Sequence, residues 1–164
     1  MTEKQEYALN KIISSMPDEY RESFLEVAEY AVSLGYKPKL NAKETYADFI
    51  KAKTKRPILK IDVDPKFPPR LAIQFTPMPA YSGIFYDAIE ERAGLLEQMG
   101  HKPRCWGCGK CDGTEGHNYV LRDGRTGFLC GRGVITLPFL RAENVPEVKA
   151  ALKNQDEYLS IKYS

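Results

Sequence analysis

The residues with the clearest chemistry are the four cysteines. The segment CWGCGKC contains Cys105, Cys108 and Cys111, and Cys130 is the remaining one. Four thiolates in a tetrahedral arrangement satisfy Zn²⁺, and a Cys-x2-Cys spacing lets two sulfur atoms bind one ion. Because the other residues of the segment include two glycines, its backbone can turn tightly. We therefore predict a zinc site whose ligands are these four cysteines.

A β-hairpin is predicted between the cysteine segment and Cys130. Asp123 and Gly124 lie between two strand-like runs, which is a strong short-range hairpin signal. A two-residue turn at this dipeptide pairs His117 with Cys130 on one face of the hairpin. Cys130 then returns to the start of the hairpin, close to where the cysteine segment enters. In this register His117 is either a neighbour of the metal ligands or a ligand in place of Cys111.

Residues 104–133 resemble a zinc ribbon, in which a Cys-x2-Cys turn and a β-hairpin enclose a structural zinc ion. The second turn departs from that pattern, because LCGRG supplies one thiol where a ribbon supplies two. The cysteine spacing also resembles the iron–sulfur ligands of bacterial ferredoxins, although Cys130 is followed by glycine where those proteins commonly have proline. An iron–sulfur cluster and a metal-free redox pair therefore stay open as alternatives to zinc.

A second group of chemically active residues lies in the basic segment KAKTKRP. Lys51, Lys53, Lys55 and Arg56 are candidates for contacts with an anion or a nucleic acid. A solvated loop accounts for the same charges without any ligand. The chain contains no phosphate-binding glycine loop, no nucleophile elbow and no His-Glu-x-x-His helix, so no sequence motif predicts an enzyme.

Composition predicts an ordinary globular protein, with 43% hydrophobic and 28% charged residues and a net charge of +2. No apolar run approaches the roughly 18 residues that span a bilayer. The first residues lack the apolar block of a secretory signal. We expect a cytoplasmic location without a membrane partner, where cysteines stay reduced and serve as metal ligands more often than as disulfides.

The predicted elements change from helix to strand along the chain. Apolar residues at helical spacing predict one helix near residues 9–16 and another that ends at Gly35. Apolar and polar residues then alternate around 59–63 and 71–75, and with a further strand at 46–51 they predict a three-stranded antiparallel meander. A third helix begins near Ser82, the hairpin and one more strand follow the cysteines, and a closing helix begins near Asn144.

The fold class is therefore α+β, an antiparallel sheet packed with helices plus a metal-stapled four-cysteine hairpin. We expect a single domain over 1–164 with a cysteine-rich metal-binding subregion at 104–133. The order of the elements and the strand RPILKI resemble the YdhG-like α+β domains of bacteria, for which no activity is established. That resemblance implies a small bacterial protein of the same class.

The favoured function is a zinc-binding, non-enzymatic module that binds a small molecule or a protein partner, or that regulates one. A nucleic-acid-binding protein that uses the basic surface of residues 36–70 is one alternative. An iron–sulfur or thiol redox protein is the other.

Overall fold

The computed structural model describes residues 1–54, 56–74, 82–98, 116–130 and 134–163, and it describes only the backbone at 95–98, 116–119 and 127–129. The chain divides into two compact units, of which the first comprises Met1–Ile73 with Thr136–Ser164 and the second comprises Gln74–Ile135. The helices are α1 (Glu3–Ser14), α2 (Asp18–Ser33), α3 (Gly83–Gln98) and α4 (Val145–Lys162). The strands are β1 (Lys37–Leu40), β2 (Tyr46–Ile50), β3 (Pro57–Asp62), β4 (Arg70–Gln74), β5 (Gly116–Val120), β6 (Thr126–Cys130) and β7 (Val134–Pro138).

The first two helices carry the apolar faces that the sequence predicts. Their large buried residues include Leu9, Ile12, Ile13, Phe24 and Val27. The chain leaves α2 through Gly35, whose φ of +91° lies in the left-handed region that favours glycine. The N–H of Tyr36 donates to the carbonyl oxygen of Ala31 at 3.1 Å, and this bond connects Tyr36 to the last turn of α2. This side chain is only 1% exposed.

The main sheet has the strand order β1-β2-β3-β4-β7. From β1 to β4, each strand pairs antiparallel with the next one along the chain. The predicted antiparallel meander is confirmed, with one strand more than expected. Strand β1 lies in a segment predicted as loop, because Lys37, Pro38 and Lys39 interrupt any apolar alternation. An edge strand tolerates this composition, since lysine and proline discourage pairing with other chains.

Alternate residues of the sheet form the core of the first unit. Phe49 pairs with Leu59, which pairs with Ile73, and all three are buried. On the opposite face, Asp48 lies between Lys39 and Lys60. The alternation is that of an antiparallel sheet with one apolar face, and the α+β class is confirmed.

The second unit contains α3 and the β5–β6 hairpin. This hairpin is a separate two-stranded sheet. The large buried apolar side chains described within 82–130 are Phe85, Ile89 and Leu121. An isolated two-stranded hairpin is only marginally stable in water, so its packing against other elements determines whether it forms.

Candidate functional site

The hairpin loop is one residue longer than the sequence predicted. The N–H of Leu121 donates to the carbonyl oxygen of Arg125 at 2.8 Å, and the N–H of Gly124 donates to that of Leu121 at 2.9 Å. Gly124 has a φ of +83°, whereas Asp123 is not among the described residues with positive φ. A two-residue turn of the Asn-Gly type needs positive φ at both positions. The loop is therefore a turn followed by a left-handed glycine.

This loop shifts the strand register by one residue. Gly116 pairs with Cys130, and His117 pairs with Leu129. The prediction that His117 lies opposite Cys130 is wrong, because a one-residue shift changes which residues share a face. The role predicted for His117 beside the metal no longer has support from the register.

Cys130 is the cysteine that the structure describes. It ends β6, is half-buried and lies opposite the first residue of β5. Cys105, Cys108 and Cys111 lie outside the described residues. Within the described ranges, no group of three or more His, Cys, Asp or Glu side chains forms a metal site.

The tip of the hairpin is attached to α3 through Arg122. Its guanidinium donates to Asp87 at 2.7 Å, to Glu90 at 3.0 Å and to the carbonyl oxygen of Gly83 at 3.3 Å. Its backbone N–H donates to Glu90 at 2.9 Å. The guanidinium also lies 5.4 Å from the centre of the Tyr86 ring. These contacts orient the hairpin on the helix that precedes the cysteine segment.

The basic segment between β2 and β3 is divided between the interior and the surface. Lys51 forms an ion pair with Asp156 at 2.9 Å, and Arg56 is only 6% exposed, with its guanidinium 5.3 Å from the Tyr163 ring centre. Lys53 is exposed, and Lys55 lies outside the described residues. Two of the four predicted anion contacts are thus engaged inside the first unit.

The ion pair of Lys51 belongs to a polar cluster that the sequence did not predict. One carboxylate oxygen of Asp156 accepts hydrogen bonds from the Lys51 ammonium and from the Tyr36 hydroxyl, each at 2.9 Å. Burial and the Asp156 carboxylate raise the pKa of Tyr36 well above its usual value. Tyr36 therefore stays a protonated donor. The cluster connects α4 to the end of β2, and the long sequence separations between its members leave no local signal.

A cavity of about 630 Å³ lies between α1 and the edge strand β1. Its lining includes three lysines, Lys4, Lys37 and Lys39, together with apolar side chains from both elements. Glu44 also lines the cavity, where its carboxylate accepts a hydrogen bond from the Tyr7 hydroxyl at 3.2 Å and pairs with Lys11 at 3.5 Å. Sequence reasoning missed this site because no motif marks it, and β1 was predicted as loop.

Comparison with known proteins identifies no relative of this chain. No family model, no curated protein and no solved structure matches it. The resemblances to zinc ribbons and to YdhG-like domains therefore stay predictions. Among the described helices, none contains a stretch long and apolar enough to cross a membrane.

Proposed function

We propose that this chain is a zinc-binding protein of the ligand-binding or regulatory kind, in which Cys105, Cys108, Cys111 and Cys130 hold one structural Zn²⁺. The observation that carries the proposal is the position of Cys130 at the open end of the hairpin, opposite Gly116. Cys111 lies five positions before Gly116 in sequence. A short stretch of chain therefore connects the cysteine segment to the strand position that pairs with Cys130.

The environment of Cys130 is consistent with a metal ligand. Its side chain is half-buried, and it is a free thiol in the part of the chain that the structure describes. Thiolates bind Zn²⁺ at about 2.3 Å, and four of them leave no open coordination position. Such a metal would staple the second unit and would not activate water. For this reason the proposed role of the metal is structural.

Replacement of single cysteines tests the ligand set. Cys108→Ser and Cys130→Ser should each lose the bound metal, because a serine hydroxyl is a poor zinc ligand at neutral pH. His117→Ala is the matched control, since the proposed set excludes this residue. Metal content is measured by elemental analysis of each purified variant.

Two results would overturn this ligand set. A Cys130→Ser protein that keeps a full equivalent of zinc and its melting temperature would exclude Cys130. A His117→Ala protein without metal, together with a Cys111→Ser protein that retains it, would replace Cys111 by His117. Iron and acid-labile sulfide in the native protein would instead establish the iron–sulfur alternative.

A further inference from the structure

The cavity beside α1 lies at the open edge of the main sheet. All four consecutive residues of β1, Lys37–Leu40, line it. Side chains of successive strand residues point to opposite faces, so a cavity on one face would be lined by alternate residues only. Since β1 is the first strand in the sheet order, the cavity occupies the side of β1 that has no neighbouring strand.

The backbone of β1 offers one hydrogen-bond donor on this side. The N–H of Asn41 donates to the carbonyl oxygen of Tyr46 at 3.0 Å, so Asn41 and Tyr46 form a bonded pair. Because bonded and non-bonded pairs alternate in an antiparallel ladder, the N–H of Leu40 points away from β2. Pro38, the other residue that faces this side, has no N–H. An extended peptide that paired with β1 as a further strand would need two backbone N–H donors from β1 and would find only one. A ligand with a single acceptor group needs only one donor.

The charges around the cavity favour an anion. Lys4, Lys37 and Lys39 are exposed. Lys39 lies beside Asp48 of β2, whereas no described residue forms an ion pair with Lys4 or Lys37. The one acidic residue of the lining, Glu44, is already engaged by Tyr7 and Lys11.

The walls and the volume favour an organic body over an inorganic ion. Ala8, Pro38, Leu40 and Ile50 supply apolar surface to the lining. The volume of about 630 Å³ lies within the roughly 300–1,000 Å³ typical of sites for drug-sized ligands. We infer that this cavity binds a small amphipathic carboxylate, whose apolar body packs on β1 and α1 and whose anionic group meets the lysines. The inference deepens the ligand-binding part of the proposed function and does not depend on the metal.

A pair of probes that differ in charge alone tests this inference. 2-Naphthoate and 2-naphthamide have nearly the same shape, but only the acid carries a negative charge at neutral pH. We expect naphthoate to bind with a Kd near about 1 mM, as its size predicts, and naphthamide to bind about fivefold more weakly. Chemical-shift changes in the intact, metal-loaded protein should map to Leu40, Asn41 and the first turns of α1. The metal content, measured on the same samples, keeps the two proposals separate.

Substitution of single lysines identifies the charges that contribute to naphthoate binding. Lys37→Gln and Lys4→Gln should each weaken naphthoate binding about two- to fivefold, whereas the affinity for naphthamide should not change. Lys153→Gln removes the same charge from an exposed position on α4 and is the matched control. Ala42→Phe, at an exposed position of the lining, should block both probes without disturbing the core.

Three results would overturn the inference. Equal affinity for the acid and the amide would exclude recognition of the charge. Shift changes away from β1 and α1 would place the ligand elsewhere. An acidic tetrapeptide that binds more tightly than naphthoate, with shift changes along the whole of β1, would establish strand addition in place of a small-molecule site.

Discussion

The described parts of the two units differ in how many apolar side chains they bury. The first unit buries the apolar face of a sheet under helices and adds the Tyr36–Lys51–Asp156 cluster to that core. The second unit, as far as the structure describes it, consists of one helix and one two-stranded hairpin with few buried apolar side chains. Three cysteines precede that hairpin, and the fourth ends it.

This contrast suggests why one unit contains all the thiols. Units of about 60 residues bury a smaller share of their surface and are only marginally stable, and still smaller ones commonly rely on disulfides, metals or association. For zinc-dependent modules, the free energy of metal binding is also free energy of folding. A metal staple would compensate for the few large apolar side chains buried in the described part of the second unit, whereas the described part of the first unit buries many more.

Removal of the proposed metal should have the largest effect, and it should affect the second unit without affecting the first. A strong chelator should abolish the protection of the β5 and β6 amides from hydrogen exchange, because structural zinc contributes about 10–16 kcal/mol in comparable peptides. The amides of β3, in the first unit, serve as the internal control and should keep their protection. Unchanged exchange in β5 and β6 after complete metal loss would show that the hairpin folds without a staple.

Loss of the partly buried carboxylate of Asp156 should weaken the first unit. Asp156→Ala leaves the Lys51 ammonium and the Tyr36 hydroxyl without their shared acceptor. Because the ion pair retains partial exposure, we expect a loss of about 2–3 kcal/mol in the free energy of unfolding, less than the roughly 3–5 kcal/mol of a fully buried pair. Urea denaturation measures this value, and metal content should not change.

The neighbouring residue of α4 provides a matched control for that variant. Glu157 is exposed and pairs with Lys153 at 3.9 Å. Glu157→Ala should cost less than about 0.5 kcal/mol, as exposed pairs usually do. Equal effects of the two substitutions would mean that the Tyr36–Lys51–Asp156 cluster does not stabilise the first unit.

A smaller effect is expected where the hairpin tip meets α3. Arg122→Gln removes the charged contacts to Asp87 and Glu90, which are exposed to solvent, and should slightly lower the local stability of the hairpin tip. Hydrogen exchange of the Leu121 and Gly124 amides measures the change. Arg92→Gln, on the same helix, is the control. If both variants exchange alike, Arg122 does not hold the tip to the helix.

The smallest expected effects are the titrations of two aspartates, one in each unit. Burial raises the pKa of Asp48, an effect that the nearby Lys60 and Lys39 oppose. The backbone N–H and then the guanidinium of Arg125 lower the pKa of Asp123. Carboxyl carbon NMR should therefore give a midpoint above about 3.9 for Asp48 and one below it for Asp123. The opposite order would contradict the local environments described above.

The two shifts have opposite consequences for stability. The contribution of Asp48 is fully present below its unfolded pKa and is lost as the pH rises through its higher folded pKa. The contribution of Asp123 is present above its unfolded pKa and is lost as the pH falls through its lower folded pKa. Both changes fall in the acidic range.

Most of the elements were predictable because their signals are local. The apolar spacing of α1, the alternation around Leu59 and Ile61, and the Asp-Gly dipeptide of the hairpin each lie within a short window. Strand β1 was missed because its lysines and proline suit an edge and hide the alternation. Knowledge of the neighbouring strand would have been needed to recognise it.

The register and the polar cluster were beyond local reasoning for different reasons. Asp123 and Gly124 fit two hairpin loops, and the Asp123 carboxylate, which accepts the Arg125 N–H at 3.0 Å, favours the longer one. The Tyr36–Asp156 contact joins residues 120 positions apart. Only the packing of α4 onto the sheet brings such partners together. The cysteine spacing, by contrast, is visible in sequence but does not fix a metal geometry.

The metal itself is the most direct test of the account. Elemental analysis and a visible spectrum should be recorded on protein purified without oxygen. Our proposal predicts one zinc per chain and no absorption in the visible range, because Zn²⁺ has a filled d shell. A brown protein that contains iron and sulfide, or a fully folded protein with no metal, would contradict it.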